Sequence, residues 1–331
     1  MHRQFILLAL GIFYAFGLMG QDTSFWPEKP MTIPELEVEI FTLDKSHSKL
    51  TFSIGYFGFS DVEGTFDRYS ATVLYNEDDL TKMSIALVVD ASTINTGSDF
   101  RDKDLKGEKF FDTDKHRTLQ FFSKRIEKKG KRYWAIGDLT IKGITKEIRV
   151  PFEQTQKKFI DPFWSNMNIG FKGEITLNRM DFDIHGGSWG EKVLSNDVKI
   201  EFAMVAKQSN TYKWGDSETG AKVDQIVEAM KAEGIVEAKK RYEAVASEME
   251  MDAFKTGLVA KRLLQKNHFE AAIDYLEFAL EQFPEQRGYY KDLARAYAYL
   301  GQPEKARELY GQIKARNPFD TEAAELLRRL Q

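Results

Sequence analysis

From Val38 to Ala206 the chain repeats one pattern, apolar and polar residues alternating segment after segment. Leu50, Phe52, Ile54 and Tyr56 share a face opposite Thr51, Ser53 and Gly55. Met83, Ile85, Leu87 and Val89 oppose Ser84 and Ala86, and Ile148, Val150 and Phe152 oppose Glu147, Arg149 and Glu153. Ile169, Phe171, Ile175 and Leu177 oppose Lys172, Glu174 and Thr176, and Val198, Ile200, Phe202 and Met204 oppose Lys199 and Glu201. Period two with one wet face specifies antiparallel sheet. Eight strands are expected, near 40–57, 61–75, 82–93, 117–127, 132–141, 146–158, 167–182 and 194–206, with turn signals such as Asn76 to Asp79 and Lys128 to Gly130 between them. A long run of this kind forms a sandwich or closes on itself. Closure with eight strands leaves an interior just wide enough for one slender ligand. Ser98 to Phe111 breaks the alternation, with Leu105, Phe110 and Phe111 spaced for a short helix or a structured loop.

Past Ala221 the period becomes helical and a repeat appears. Ala238, Ala272 and Ala306 are 34 residues apart, as are Tyr242, Leu276 and Tyr310, and Val245, Ala279 and Ile313; Pro284 and Pro318 keep the interval. Small alanines let two helices approach, and a proline ends each unit. The period and residue types resemble the tetratricopeptide signature. Units are expected at 219–252, 253–286 and 287–320, the first degenerate with Glu250 in place of the proline. A capping helix follows over 322–330. The first helix of each unit then builds a concave face, with Lys261, Tyr290 and Tyr297 as contact candidates for a protein or peptide. Two stretches read as linkers: 21–37, with Pro27, Pro30 and Pro34, and the polar 207–221. The expected domains are thus a signal peptide at 1–20, the barrel at 38–206 and helical repeats at 222–331, with few contacts across the second linker.

Arg3 followed by the apolar stretch Phe5 to Leu18 fits a secretory signal and is short for a membrane span, so the mature chain is expected in the periplasm or outside the cell. Gly20 offers a small residue for cleavage. The chain of 331 residues has no cysteine, which excludes disulfides, thiolate chemistry and zinc–sulfur sites. A formal net charge of −4 gives no field for nucleic acid. The histidines His2, His47, His116, His185 and His268 have no metal-ligand spacing.

Several blocks resemble the YceI-like family of lipocalin-like, polyisoprenoid-binding barrels, in order and in spacing. Leu43-Asp44 with His47-Ser48 looks like its opening strand, and Val62-Glu63-Gly64-Thr65-Phe66 like its second. Ser92 to Gly97, then Arg101-Asp102, Leu105 and Phe110-Phe111-Asp112, form the most distinctive block. Gly137 to Ile141 with Gly143 to Lys146, and Asn178 to Phe182, are similar to later ones. Tyr56 stands where the family often has histidine, and Asp183 where it commonly has glycine. The resemblance implies a lipocalin-like barrel, not an enzyme, whose lumen holds an isoprenoid or similar amphiphile and which needs no other cofactor. Burying a chain of about forty carbons carries a gross transfer term of order 30 kcal/mol, above the ceiling of non-covalent affinity. Ordering the tail must offset much of it. Lumen shape would therefore select the ligand, with one or two polar groups holding its head.

The candidate lumen and mouth residues are Phe52, Ile54, Tyr56, Phe66, Leu87, Arg101, Asp102, Leu105, Phe110, Phe121, Phe152, Phe171, Ile175, Trp189 and Phe202. Arg101 and Asp102 read two ways, as a mouth group for a polar head or as a pair pinning the non-alternating loop. Arg179 and Asp181 read as structural. Gly186-Gly187-Ser188-Trp189-Gly190 matches the nucleophile elbow Gly-x-Ser-x-Gly, but it falls between two β strands with only His268 after it. It is read instead as a flap carrying Trp189 over the lumen. A second reading makes the barrel a ligand-free platform whose repeats recruit an envelope partner.

Overall fold

A computed structural model describes residues 26–27, 29–130, 132–210, 212 and 217–330. The expected signal segment lies outside the described residues. Eight antiparallel strands close into a barrel in chain order. Strand β1 comprises Val38–Leu43 and Lys49–Tyr56, and β2 comprises Ser60–Phe66 and Tyr69–Tyr75. Strand β3 is Ser84–Asp90, continued by Ile94–Asn95. The others are β4 Thr118–Lys129, β5 Arg132–Ile141, β6 Ile144–Ile160, β7 Met167–Asn178 and β8 Leu194–Gln208. Closure is made by β8 on β1: Leu194 faces Tyr56, Phe202 faces Leu50, and past a bend Ala206 faces Leu43.

The first three strands are bent where the alternation alone reads straight. Asp44 accepts hydrogen bonds from Ser46 N and Oγ and turns β1 through a short 3-10 segment, Lys45–His47. Asp90 does the same for β3 through Ser92. The corner of β2 follows, with Asp67 N donating to Thr93 O and Arg68 N to Thr93 Oγ1. Short acidic side chains that bond their own backbone two residues on compete with the ladder and make corners.

Helix α1, Asp99–Lys106, fills the stretch where the alternation stops. Helix α2, Gly187–Val193, stands where a loop carrying the Gly-x-Ser-x-Gly motif was expected. The repeats follow as α3 Ser217–Glu233, α4 Ile235–Glu248, α5 Ala253–Gln265, α6 Phe269–Gln282, α7 Arg287–Tyr299, α8 Pro303–Arg316 and α9 Thr321–Arg329. These pairs match the expected units. Ala238, Ala272 and Ala306 are wholly buried on the second helix of each, where Tyr242, Leu276 and Tyr310 pack with them.

The two parts are joined broadly rather than tethered. Ile33, Val38, Ile40 and Leu74 belong to the same apolar cluster as the repeat helices. Thr72 Oγ1 lies 2.8 Å from Thr321 Oγ1, and Ser70 Oγ donates to Phe319 O. Arg329 donates to Ser123 O, and the Arg328 guanidinium lies over the Phe122 ring. Helix α9 runs against β2 and β3, so Ser84 and Ala86, read from the sequence as a wet face, are buried together with Val88. The two expected linkers are largely structured. Thr32 and Ile33 pair with Glu39 and Val38, and Lys29 O accepts from Asn267 Nδ2, making a strap between barrel and repeats. At the second, β8 continues to Gln208, Asn210 is buried, and α3 begins at Ser217. The expectation of few crossing contacts does not hold. The apolar residues on the outside of β1 and β2 seek burial as strongly as those inside, and alternation does not say against what.

Candidate ligand chamber

The interior of the barrel divides along its axis. At the end marked by the β4–β5 and β6–β7 hairpins, Phe41, Tyr75, Met83, Phe121, Phe152, Ile169 and Phe171 form a closed cluster. The rings of Tyr75 and Phe152 each meet Phe171 edge-on, at centroid distances of 6.4 and 5.9 Å. Beyond this plug, Glu39, 5% exposed, takes a 2.8 Å hydrogen bond from Lys158 Nζ, which also reaches Glu77 at 3.0 Å. Two register shifts in β6, between Gln154 and Phe159, bracket Lys158.

Toward the other end, two layers of covering can be separated. On the side of β2 to β4, the segment around α1 packs Leu105, Phe110 and Phe111 onto Phe66, Val89 and Ile94. On the side of β1, β7 and β8, the inner face stays partly open. Ile54 pairs with Val198, Phe52 with Ile200, Ile175 with Ile200 and Leu177 with Val198, so these side chains share the inward face. All are only half-buried, as are Tyr56, Leu87, Leu139 and Phe202. Phe52, Leu87, Leu139, Ile200 and Phe202 pack against the neighbouring clusters yet keep some exposure.

Two glycines let aromatic rings approach the barrel wall closely. Gly64 is the cross-strand partner of Phe52, and Gly173 of Phe202. A Cβ at Gly64 would stand 2.4 Å from Phe52 Cζ, and one at Gly173 2.6 Å from Phe202 Cζ. Each ring edge occupies the place a side chain would take, an aromatic-over-glycine pairing. The reading of lumen candidates from alternation missed these glycines. Their signal is an aromatic opposite a glycine, visible only once the strand register is known.

The expected site residues separate accordingly. Phe52, Ile54, Tyr56, Leu87, Ile175 and Phe202 are partly buried, and Phe52, Leu87 and Phe202 pack against the surrounding clusters. Phe121, Phe152 and Phe171 belong to the packed plug, and Phe66, Leu105 and Phe110 to the α1 cover. Arg101 donates to Thr96 Oγ1 and Thr96 O at 2.7 and 2.8 Å, and Asp102, buried, accepts from Thr96 N and Oγ1. The pair pins its own loop, the structural one of its two readings. Arg179, also buried, donates to the carbonyls of Ser195, Ile184, His185, Gly190 and Leu194, and burial lowers its pKa. It ties α2 to the start of β8, so α2 is an anchored helix rather than a loose flap. Trp189 projects from it, 6.4 Å from the Tyr56 ring. Asp183, at the position where glycine is common, holds φ at +56° with Lys142 Nζ on its carbonyl and carboxylate. A short acidic residue is among the few that enter this region at modest cost. Ser188 has no hydrogen bond to a histidine among the described residues, and His185 bonds instead to Asp183 at 2.7 Å.

Among the described residues no group of three or more histidine or acidic side chains is arranged to hold a metal. On the repeats, Lys261 binds Asp292 at 2.7 Å, and both line a cleft of about 150 Å³ against Thr42 and Lys207 of the barrel. Tyr297 is buried and donates to Glu277, and Tyr290 lies under Arg316. The face built by the first helices is therefore turned toward the barrel, at α5 and α7.

The family model described as YceI-like domain matches residues 41–206, half of the chain. The chain belongs to the YceI-like family. A UPF0312 protein of Staphylococcus aureus (strain bovine RF122 / ET3-1) is 33% identical over 166 residues, 49% of this chain and 93% of that protein. A UPF0312 protein of Pectobacterium atrosepticum is 27% identical over 144 residues, 44% of this chain and 74% of that one. Among solved structures, Burkholderia cenocepacia BcnA aligns with TM-score 0.45 and 24% identity, over 49% of this chain and 98% of its own. A polyisoprenoid binding domain from Saccharophagus degradans aligns with TM-score 0.38 and 15% identity, over 50% of this chain and 97% of its own. Residues 263–330 match the tetratricopeptide repeat model.

Proposed function

We propose that this YceI-like chain is an exported binding protein, without catalytic activity, that holds the tail of a long-chain isoprenoid or similar amphiphile in the chamber between β1, β7 and β8. The carrying observation is the partly exposed apolar wall of Phe52, Ile54, Ile175, Ile200 and Phe202, with both rings set against glycine. No side chain of the wall offers a charge, so the tail is selected by length and shape. The head stays at the rim, because the far end is plugged. Arg101 is already engaged with Thr96, so the head group rests against Tyr56 and the start of β8 rather than on a cation. Export is supported by Arg3 and the apolar stretch Phe5 to Leu18. The repeats act first on their own barrel, and any partner meets the helix faces turned away from it.

Organic extraction of the protein purified without detergent, followed by mass spectrometry, should release one class of long-chain lipid in near-stoichiometric amount. Ile175→Trp, which fills the chamber, should release little or none while keeping the fold. Equal yield from both proteins would place the lipid elsewhere and end this reading.

A further inference from the structure

Large apolar side chains gather at the rim of the open end. Phe57 and Phe59, at the β1–β2 turn, are 52% and 86% exposed, and Trp189 on α2 is 54% exposed. Centroid distances link them in series: Trp189 to Tyr56 6.4 Å, Tyr56 to Phe57 4.9 Å, Phe57 to Phe59 6.2 Å. Scattered exposed apolar residues need no explanation, but a contiguous group does. This group is also held in place. Phe57 N donates to Val193 O at 2.8 Å, which ties the turn to the end of α2. Phe57 adopts φ +51°, a left-handed conformation that is strained for a bulky side chain. Strain retained at an exposed aromatic is a sign of use.

The surroundings define what such a rim meets. Both signs of charge stand beside it: Asp61 follows the turn, Glu191 and Lys192 share α2 with Trp189, and the Lys109 chain lies by Gly187, so the rim is not a patch of one charge. Inward, Tyr56 leads directly to Ile54 and Phe52 on the chamber wall. An apolar path thus runs from the outermost ring to the lumen. Tryptophan and other amphipathic aromatics favour the head-group layer of a bilayer, with the ring in the acyl boundary. We propose that the open end of the barrel docks on the interfacial layer of a lipid bilayer through Phe57, Phe59 and Trp189, so that an acyl or prenyl chain passes between bilayer and chamber without crossing water. The route of the chain rests on the chamber reading above; the docking itself does not.

The chain has no cysteine, so Phe59→Cys, Trp164→Cys and Ser247→Cys each create a single labelling site for an environment-sensitive fluorophore. Trp164 lies on the β6–β7 hairpin at the plugged end, and Ser247 on α4. With dioleoylphosphatidylcholine vesicles, the label at 59 should brighten at least twofold and shift to the blue, while those at 164 and 247 do not. Half-molar salt should leave this response intact. Trp189→Ser in the Phe59→Cys background should weaken the vesicle titration at least fivefold without lowering the melting temperature by more than a few degrees. No response at 59 overturns the proposal. So does an equal response at all three sites, which would mean that the N-terminal apolar stretch alone brings the chain to the vesicle, and so does a response that salt abolishes. Lipid recovered by extraction with no response at 59 retains the chamber and removes the docking face. A response at 59 with nothing extracted does the reverse.

Discussion

In the repeats, Ala272, Leu276 and Ala279 are enclosed on every side, and Leu258, Leu263 and Tyr310 with them. In the barrel, Ile54, Ile175 and Ile200 are as apolar and as regularly spaced, yet each remains partly accessible. The difference lies in what sets the distance between backbones. Two helices slide together until side chains touch, so small residues at Ala272 and Ala306 bring the axes close. A closed sheet cannot contract in this way. Strand number and stagger fix its diameter, so the side chains inside must fill a width they cannot adjust. Two buried glutamates, one in each part, shift in opposite directions. In the repeats Arg295 grips Glu322 with both arms at 2.6 Å, and Tyr310 adds a third hydrogen bond. Burial alone would raise the Glu322 pKa, but Arg295 and Lys291 outweigh it and carry it down to about 2. In the barrel, burial dominates at Glu39 and raises its pKa despite Lys158.

Removing one partner of the repeat pair tests this contrast most severely. Arg295→Ala leaves buried Glu322 with only Lys291, 3.7 Å away, and should cost about 3 kcal/mol, read as a fall in the urea midpoint of the helical signal. A smaller loss would show that water replaces the guanidinium. Next is overfilling. Ala272→Trp should destabilise by about 1–3 kcal/mol, whereas Ile175→Trp, which enters the proposed chamber, should stay within about 1 kcal/mol of the parent. Equal costs would mean that the chamber is as closed as the repeat core.

Acid should then separate Glu322 and Glu39 by sign. Glu322 has a folded pKa depressed below its ordinary 4.5, so it contributes stability above that value and loses it as pH falls toward about 2. The stability gap between the parent and Glu322→Gln should narrow over that window. Glu39 is shifted upward, so its ionised form opposes folding, and Glu39→Gln should gain relative to the parent as pH rises above the ordinary carboxylate range. Parallel pH profiles for the two variants would contradict the opposite shifts. The smallest effect belongs to Glu304→Trp on the exposed side of α8, expected within about 0.5 kcal/mol of the parent. A loss as large as that of Ala272→Trp would move the repeat register.

Alternation carried the number of strands and their inward faces, and the interval from Ala238 to Ala306 carried the helix pairs, because both are periodicities that one buried side imposes. The bends at Asp44 and Asp90 were not legible, since a strand residue that caps its own backbone looks polar like any other outward residue. Nor was the joint between the two parts. Ser84 and Ala86 have the character of a wet face, and their burial depends on α9, far along the chain. Arg101 shows the limit for the site: a guanidinium near a barrel mouth has the same sequence whether it waits for a ligand or holds Thr96. The pairing of Gly64 with Phe52 and of Gly173 with Phe202 is a relation between strands that no single strand displays.

The contact between Thr72 and Thr321 joins residues 249 positions apart. The helix that covers the outside of β2 and β3 therefore leaves the ribosome only after the whole barrel. Until it arrives, Leu74, Ala86 and Val88 face water on a sheet that is otherwise complete. Contacts of such long range are slow to form, and an apolar face exposed in the interval invites chaperones or proteases. A chain cut short before Thr321 would keep every residue of the chamber and still present that face. Its life span in the cell would therefore be set by the missing terminus rather than by any loss of binding.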